Sequence, residues 1–213
     1  MRKLVIEQRV GSALTLRTEG LDALGHPEIA ASVKDEGLKG DLEDFLFFIC
    51  RYVEGANRLG PGETLAYGYW LTRFEERDGK TLEVWEYNSN ATQFVKGASL
   101  TLDYWHQQHA TCLRYGTRFE PPRPDKLTVL SKGVLEGLPV QGVRYLSPEP
   151  MSGWWITTDQ YDGNVKSLQR EHTYHLTAAR PELAKYLALP HGFRFDLSTG
   201  DDVWKDDRVA ANR

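Results

Sequence analysis

Seven residues near the middle of the chain, Phe119-Glu120-Pro121-Pro122-Arg123-Pro124-Asp125, hold three of its ten prolines. Each proline lacks an amide donor and pushes the residue before it away from helical geometry, so neither a helix nor a central strand runs through such a stretch. It reads as a stiff connector, residues 119–125, between an N-terminal domain at 1–118 and a C-terminal domain at 126–213. A length of 213 residues suits two small domains. Short helices and strands interleave on both sides, so each half is expected to be α+β, a mainly antiparallel sheet packed with helices. No internal repeat or low-complexity tract interrupts them.

On the N-terminal side, Leu4 to Val10 and Ala13 to Arg17 read as strands around Gly11-Ser12. Pro27 suits a first helical turn and predicts a short helix over Glu28 to Lys34. Asp41 suits an N-cap, and Leu42, Phe45, Leu46, Ile49, Val53 and Ala56 recur at helical spacing, which predicts a helix from Leu42 to Asn57. Two β-like runs, Thr64 to Glu76 and Thr81 to Tyr87, flank Arg77-Asp78-Gly79-Lys80. An Asp-Gly pair between such runs is a hairpin signal, because both residues tolerate positive φ. A second long helix is expected over Ala98 to Leu113.

After the connector, Leu127 to Leu130, Val140 to Leu146, Trp154 to Thr158, Tyr174 to Leu176 and Phe193 to Leu197 read as strands. Lys132 to Glu136 suggests a short helix ending at Gly137. Pro181 in a first helical turn starts another through Leu187.

Composition excludes several classes. Lysine and arginine number 26 against 30 acidic residues, a net charge of −4. That balance lacks the basic footprint of a general nucleic-acid binder. The imbalance leans N-terminal, with 14 basic against 17 acidic residues before Phe119 and 12 against 13 from there on. The longest apolar run, Phe45 to Cys50, is far short of the ~20 residues that span a bilayer. Two distant cysteines, Cys50 and Cys112, do not make a disulfide scaffold. The expectation is a cytoplasmic protein with reduced thiols and neither membrane nor nucleic-acid partner.

Chemistry-bearing patterns are weak. His106, His109 and Cys112 lie three apart on the second helix, but the outer two fall about 120° apart around its axis, too wide for a chelating face. His172 and His175 are three apart in an expected strand approach, which would point them to opposite faces. His26 and His191 each sit in a turn context. No G-x-S-x-G elbow or phosphate loop occurs, and Cys112 has no third group to orient a base. No catalytic residue, metal or cofactor is expected.

The carboxylates are more suggestive. Asp201-Asp202-Val203-Trp204-Lys205-Asp206-Asp207 places acids around an aromatic residue, which suits recognition of a basic protein surface. The C-terminal half also carries an ordered series of short motifs: Ser131-Lys132-Gly133-Val134-Leu135-Glu136-Gly137, then Ser152-Gly153-Trp154, then Leu189-Pro190-His191-Gly192-Phe193-Arg194-Phe195. This order, over about Leu127 to Asp207, resembles a bacterial family of small immunity-type domains of polymorphic toxin systems, long catalogued as a domain of unknown function. Its members read S-K-x-V-L-E-G, then S-G-W, then a late L-x-x-P-x-G-x-x-[FW]. Here the stretch after Trp154 is less acidic than is usual in the family.

The resemblance implies a non-enzymatic protein that neutralises a cognate toxin by direct binding. Turn position and chemistry select Asp159, Tyr161, Asp162, Asp201 and Asp202 as partner-binding residues. The alternative is a small-ligand-binding protein or enzyme with a pocket near the aromatic hairpin of Tyr67, Tyr69, Trp70, Trp85 and Tyr87. The motif glycines Gly137 and Gly153 are expected at turns, and Trp154 in the core.

Overall fold

The computed structural model describes residues 3–211. The chain is α+β and divides into two compact units, Met1–His106 and Gln107–Arg213. Among the described residues each unit has one sheet.

In the first unit the strands are β1 (Lys3–Val10), β2 (Ala13–Glu19), β3 (Glu28–Val33), β4 (Thr64–Tyr67), β5 (Trp70–Glu76), β6 (Thr81–Tyr87) and β7 (Phe94–Lys96), with helix α1 (Lys39–Glu54) between β3 and β4. The sheet order is β1-β2-β3-β6-β5-β4, and β7 also pairs with β6. All neighbours are antiparallel except β3 and β6. The hairpin between β5 and β6 forms where Asp78-Gly79 stands, with Gly79 at φ +72° and the Lys80 amide donating to Asp78 Oδ1. The run from Thr64 is two strands rather than one, because Gly68 at φ +61° folds β4 back onto β5.

The segment after Pro27 is a strand, not the expected helix. Ile29, Ala30 and Ala31 are all buried, since β3 is an interior strand between β2 and β6. An interior strand reads as an unbroken apolar run and loses the alternation that identifies half-buried strands. Helix α1 buries Leu42, Phe45, Leu46, Ile49 and Val53 as the spacing predicted. It begins ahead of Asp41, whose carboxylate meets His106 Nδ1 at 3.1 Å instead of capping.

Helix α2 (Ser99–Arg114) follows β7, and the division between the units falls within it. Its start is capped from β6: Glu86 accepts from the amides of Leu100 (3.0 Å) and Thr101 (2.6 Å) and from the Thr101 hydroxyl. Burial pushes the Glu86 carboxyl above its ordinary range even so.

The second unit has strands β8 (Leu127–Leu130), β9 (Gln141–Arg144), β10 (Met151–Thr157), β11 (Gln169–His172), β12 (Phe193–Asp196) and β13 (Asp202–Lys205), with helices α3 (Thr173–Ala179) and α4 (Asp207–Ala210). Their order is β11-β8-β10-β9-β12-β13. Only β8 and β10 run parallel. Three local expectations are corrected here. Residues 132–136 form turns rather than a helix, with Gly133 at φ +90° and Gly137 at φ +91°. Residues 174–176 belong to α3, and the strand lies just ahead of them. Gly153 sits inside β10, where the register with β8 shifts, rather than at a turn.

The proline-rich residues 119–125 run as coil inside the second unit. The Glu120 amide donates to Ala188 O and the Tyr174 amide to Pro124 O, while Pro122 and Pro124 are buried. Two arginines tie such irregular segments down. Arg144 Nη1 donates to the carbonyls of Glu120, Leu187 and Leu189, and Arg180 Nη1 to those of Val134 and Leu138. Guanidinium suits this work because its rigid fork serves several acceptors at once. Burial pulls the Arg144 pKa down to about 10, which still leaves it charged at neutral pH.

Both cysteines are buried, and neither forms a disulfide. Burial pushes the Cys112 thiol up to about 11, and its Sγ lies 3.5 Å from Ala188 O. A thiol in that state is a poor nucleophile at neutral pH. Iodoacetamide at pH 7.5 should therefore leave the folded protein unmodified by intact mass and alkylate both sites once guanidinium is added. A Cys112 adduct formed without denaturant would contradict this account.

Candidate partner-binding surface

Strand register decides which loops of the second unit meet. Thr157 at the end of β10 pairs with Gln141, Asp196 with Gln141, and Asp202 with Asp196. Leu130, at the end of β8, pairs with both Ile156 and Gln169. The loops 131–140, 158–168 and 197–201 therefore all leave the same end of the sheet. Asp159, Tyr161, Asp162, Asp201 and Asp202 all lie at that end, in two groups three strands apart, about 15 Å by strand spacing.

The two groups differ in freedom. Asp159 is exposed and Tyr161 half-buried, with the Tyr161 amide donating to Thr158 O. Asp162 is exposed but shapes its own turn, accepting from the Asn164 amide at 2.9 Å. Asp201 is engaged within the unit: Oδ1 accepts from the Tyr186 hydroxyl at 2.6 Å and Oδ2 from Lys185 Nζ at 2.8 Å. Those two bonds, Lys185's first, hold its carboxyl below the usual range. Asp202 is exposed at the first position of β13. With Glu136 and Asp196, the loops at this end carry six carboxylates, against Lys132, Lys166, the Asp201-bound Lys185 and Arg180, whose guanidinium reaches Val134 O and Leu138 O.

The two faces of the same sheet are unlike. On one, Thr128, Leu130, Trp154, Ile156 and Phe195 are buried. The 3₁₀ turn at Pro181–Tyr186 and α3 pack there: the Tyr186 ring stacks on Phe195 at 4.6 Å, Trp154 Nε1 donates to Leu187 O, and the Thr128 and Thr173 hydroxyls meet at 3.0 Å. The other face shows a row in register across all six strands, Arg170–Val129–Trp155–Val143–Arg194–Trp204. Val129 is buried, Trp155, Val143 and Arg194 are half-buried, and Trp204 is 43% exposed. The Tyr145 ring stands edge-on to Trp155 at 5.8 Å.

Sequence reasoning did not select Trp155, although the signal was present. Adjacent tryptophans on a strand must face opposite ways, so only one of Trp154 and Trp155 could enter the core. Indoles left on a sheet surface suit contact with another molecule, since they supply large apolar area with few rotatable bonds.

The remaining candidates separate cleanly. Tyr67, Tyr69 and Trp70 are buried, and Tyr69 and Trp70 pack against Tyr104, so these rings of the hairpin serve the core of the first unit. A groove of about 900 Å³ in the same unit is lined by both signs of charge. Its arginines are paired within the unit, Arg77 with Glu7 at 2.6 Å and Arg17 with Glu7 at 3.4 Å. His26, expected on a surface turn, is 2% exposed. Its Nε2 accepts from the Leu59 amide and its Nδ1–H donates to Pro27 O, a structural role. His172 closes β11 while His175 lies on α3, their rings 5.9 Å apart. Among the described residues, no group of three or more His, Cys, Asp or Glu is placed to hold a metal ion.

Residues 107–206 match the family model of the Imm33-like domain. The matched Imm33-like segment covers just under half of the chain and contains all six strands of the second sheet. It starts at the boundary between the two units and takes in residues 119–125. Both the acidic loop end and the tryptophan row lie within it. No curated protein and no solved structure matches the chain. Among the described residues no helix is long and apolar enough to cross a membrane.

Proposed function

We propose that this chain is an immunity protein that neutralises a toxin protein by direct binding, with the Imm33-like unit as the binding module and no chemistry of its own. The observation that carries this reading is the sheet face with Trp155 and Trp204, bordered at one end by an excess of carboxylates. Partly exposed indoles provide the anchors that fix residence time, and an acidic rim steers encounter with a basic surface. Asp159, Tyr161, Asp162 and Asp202 form the toxin-facing rim. Asp201 belongs to it as a brace, holding the β12–β13 turn through Tyr186 and Lys185.

The test begins with affinity capture of the tagged chain from its own cells. A captured protein that kills when expressed alone, and is harmless when co-expressed with this chain, supports the reading. A captured protein without toxicity counts against it. With the toxin in hand, Trp155→Ala should weaken binding by about 2 kcal/mol, near thirtyfold, mainly through faster dissociation. Asp159→Asn with Asp162→Asn should instead slow association at low salt, and the difference should vanish as salt screens the charges. An association rate insensitive to those carboxylates at low ionic strength would remove them from the interface.

A further inference from the structure

At the opposite end of the same sheet, where β12 begins and β13 ends, lies a cleft of about 410 Å³. Its walls include Tyr115, Arg118, His191, Phe193, Trp204 and Lys205, and none of the residues lining it is acidic. That is notable in a chain of net charge −4. The volume falls within the range of sites that enclose small molecules. We propose that this cleft binds an anion of mononucleotide size, its planar base stacked on Trp204 and its phosphate held by Arg118 and Lys205.

Three observations lead there. Trp204 is 43% exposed on an edge strand, so its indole is available to a stacking ring. The Arg118 side chain is 83% exposed and its ion pair with Glu120, at 2.9 Å, is a surface pair. The Lys205 side chain is 58% exposed and stands 3.8 Å from Asp207. Surface pairs of this kind are worth little, so both cations can exchange a carboxylate for a doubly charged phosphate at small cost. His191 is fixed as a wall, its Nε2–H donating to Val209 O at 3.1 Å. A third cation, Arg114, lies 5.5 Å from the centre of the Tyr115 ring but lines the neighbouring cleft with Asp201. Ring and charge recognition within one compact cleft favour a ligand that joins both in a single small molecule.

This proposal shares Trp204 with the toxin reading but does not rest on it, and it is tested on the full chain without a toxin. Isothermal titration with AMP, GMP, CMP and UMP should show saturable one-to-one binding near or below about 1 mM for at least one of them. Adenosine, which lacks the phosphate, and inorganic phosphate, which lacks the ring, should each bind at least about tenfold more weakly. The exposed double variant Arg118→Ala/Lys205→Ala should weaken nucleotide binding about tenfold or more while its circular dichroism and melting stay native. Trp204→Ala should weaken it as well, and Asp159→Asn/Asp162→Asn should leave it unchanged. The proposal falls if no nucleotide saturates the protein by about 10 mM. It also falls if a short oligoglutamate peptide or phosphate alone binds as well as a nucleotide, or if the double variant binds with undiminished affinity.

Discussion

Replacing Gly153 by alanine should cost the second unit roughly 3 kcal/mol, enough to lower its thermal midpoint by many degrees. Gly153 lies in β10 at φ +86°, a region that side-chain-bearing residues rarely adopt. A Cβ there would stand 2.4 Å from the carbonyl oxygen of Tyr145, which belongs to the backbone and cannot swing aside. The same two residues are joined by a bond from the Tyr145 amide to Gly153 O, so relief by separation would break the ladder between β9 and β10. Gly137 supplies the internal control. It has nearly the same φ, +91°, but an added Cβ would meet nothing within 4 Å. Gly137→Ala should therefore show the backbone strain alone, about 1 kcal/mol. Equal losses in the two variants would mean that the contact with Tyr145 contributes nothing. The glycine of the Ser152-Gly153-Trp154 motif is thus explained by packing, and its presence is evidence about fold rather than about a site.

Glu28→Ala should cost the first unit about 4 kcal/mol, because it strands several buried donors together. The Glu28 side chain is 9% exposed at the start of β3. Its Oε1 accepts from the amides of Gly20, Leu21 and Asp22, and its Oε2 from the Thr18 hydroxyl at 2.6 Å. Thr18 in turn accepts from the Ile29 amide at 2.8 Å. One carboxylate therefore closes the β2–β3 connection from inside. Glu28→Gln keeps one oxygen for the amides and can donate its amide to Thr18, so its loss should be well under half as large. Chemical denaturation of the two variants checks this order, and a glutamine variant as weak as the alanine one would contradict it.

Sequence periodicity located the elements whose burial is one-sided and local. Helix α1 shows its core face at 42, 45, 46, 49 and 53, and the β5–β6 hairpin announces itself through Asp78-Gly79. Strand β3 was hidden because burial on both faces erases alternation, and Pro27 then favoured a helical reading. Strand β13 was hidden for the opposite reason. Four residues with an acid at the start and a lysine at the end form a strand only because β12 lies beside them. The role of His26 was equally invisible, since one of its partners, the Leu59 amide, is distant in sequence. The candidate surface divides in the same way. Individual residue chemistry pointed to Asp159, Tyr161, Asp162, Asp201 and Asp202, and the strand order gathers them at one end. That Asp201 is bound to Tyr186 and Lys185, and that Trp155 faces outward, depend on long-range packing that no local pattern encodes.

The charge layout of the second sheet carries a consequence for how this unit travels. Its carboxylates outnumber its cations at the end where β10 and β12 finish. At the end where they start, the cleft with Arg118 and Lys205 has no acid in its lining and carboxylates only as partners of those cations. A few strand residues separate those ends, on the order of 10–15 Å. That layout predicts an electric moment along the strands, which a net charge figure does not report. In the field of an approaching molecule the unit experiences a torque as well as a pull. A positively charged body will turn the loop end toward itself before contact, so the fraction of collisions that arrive correctly oriented rises without any change in the contacts finally made.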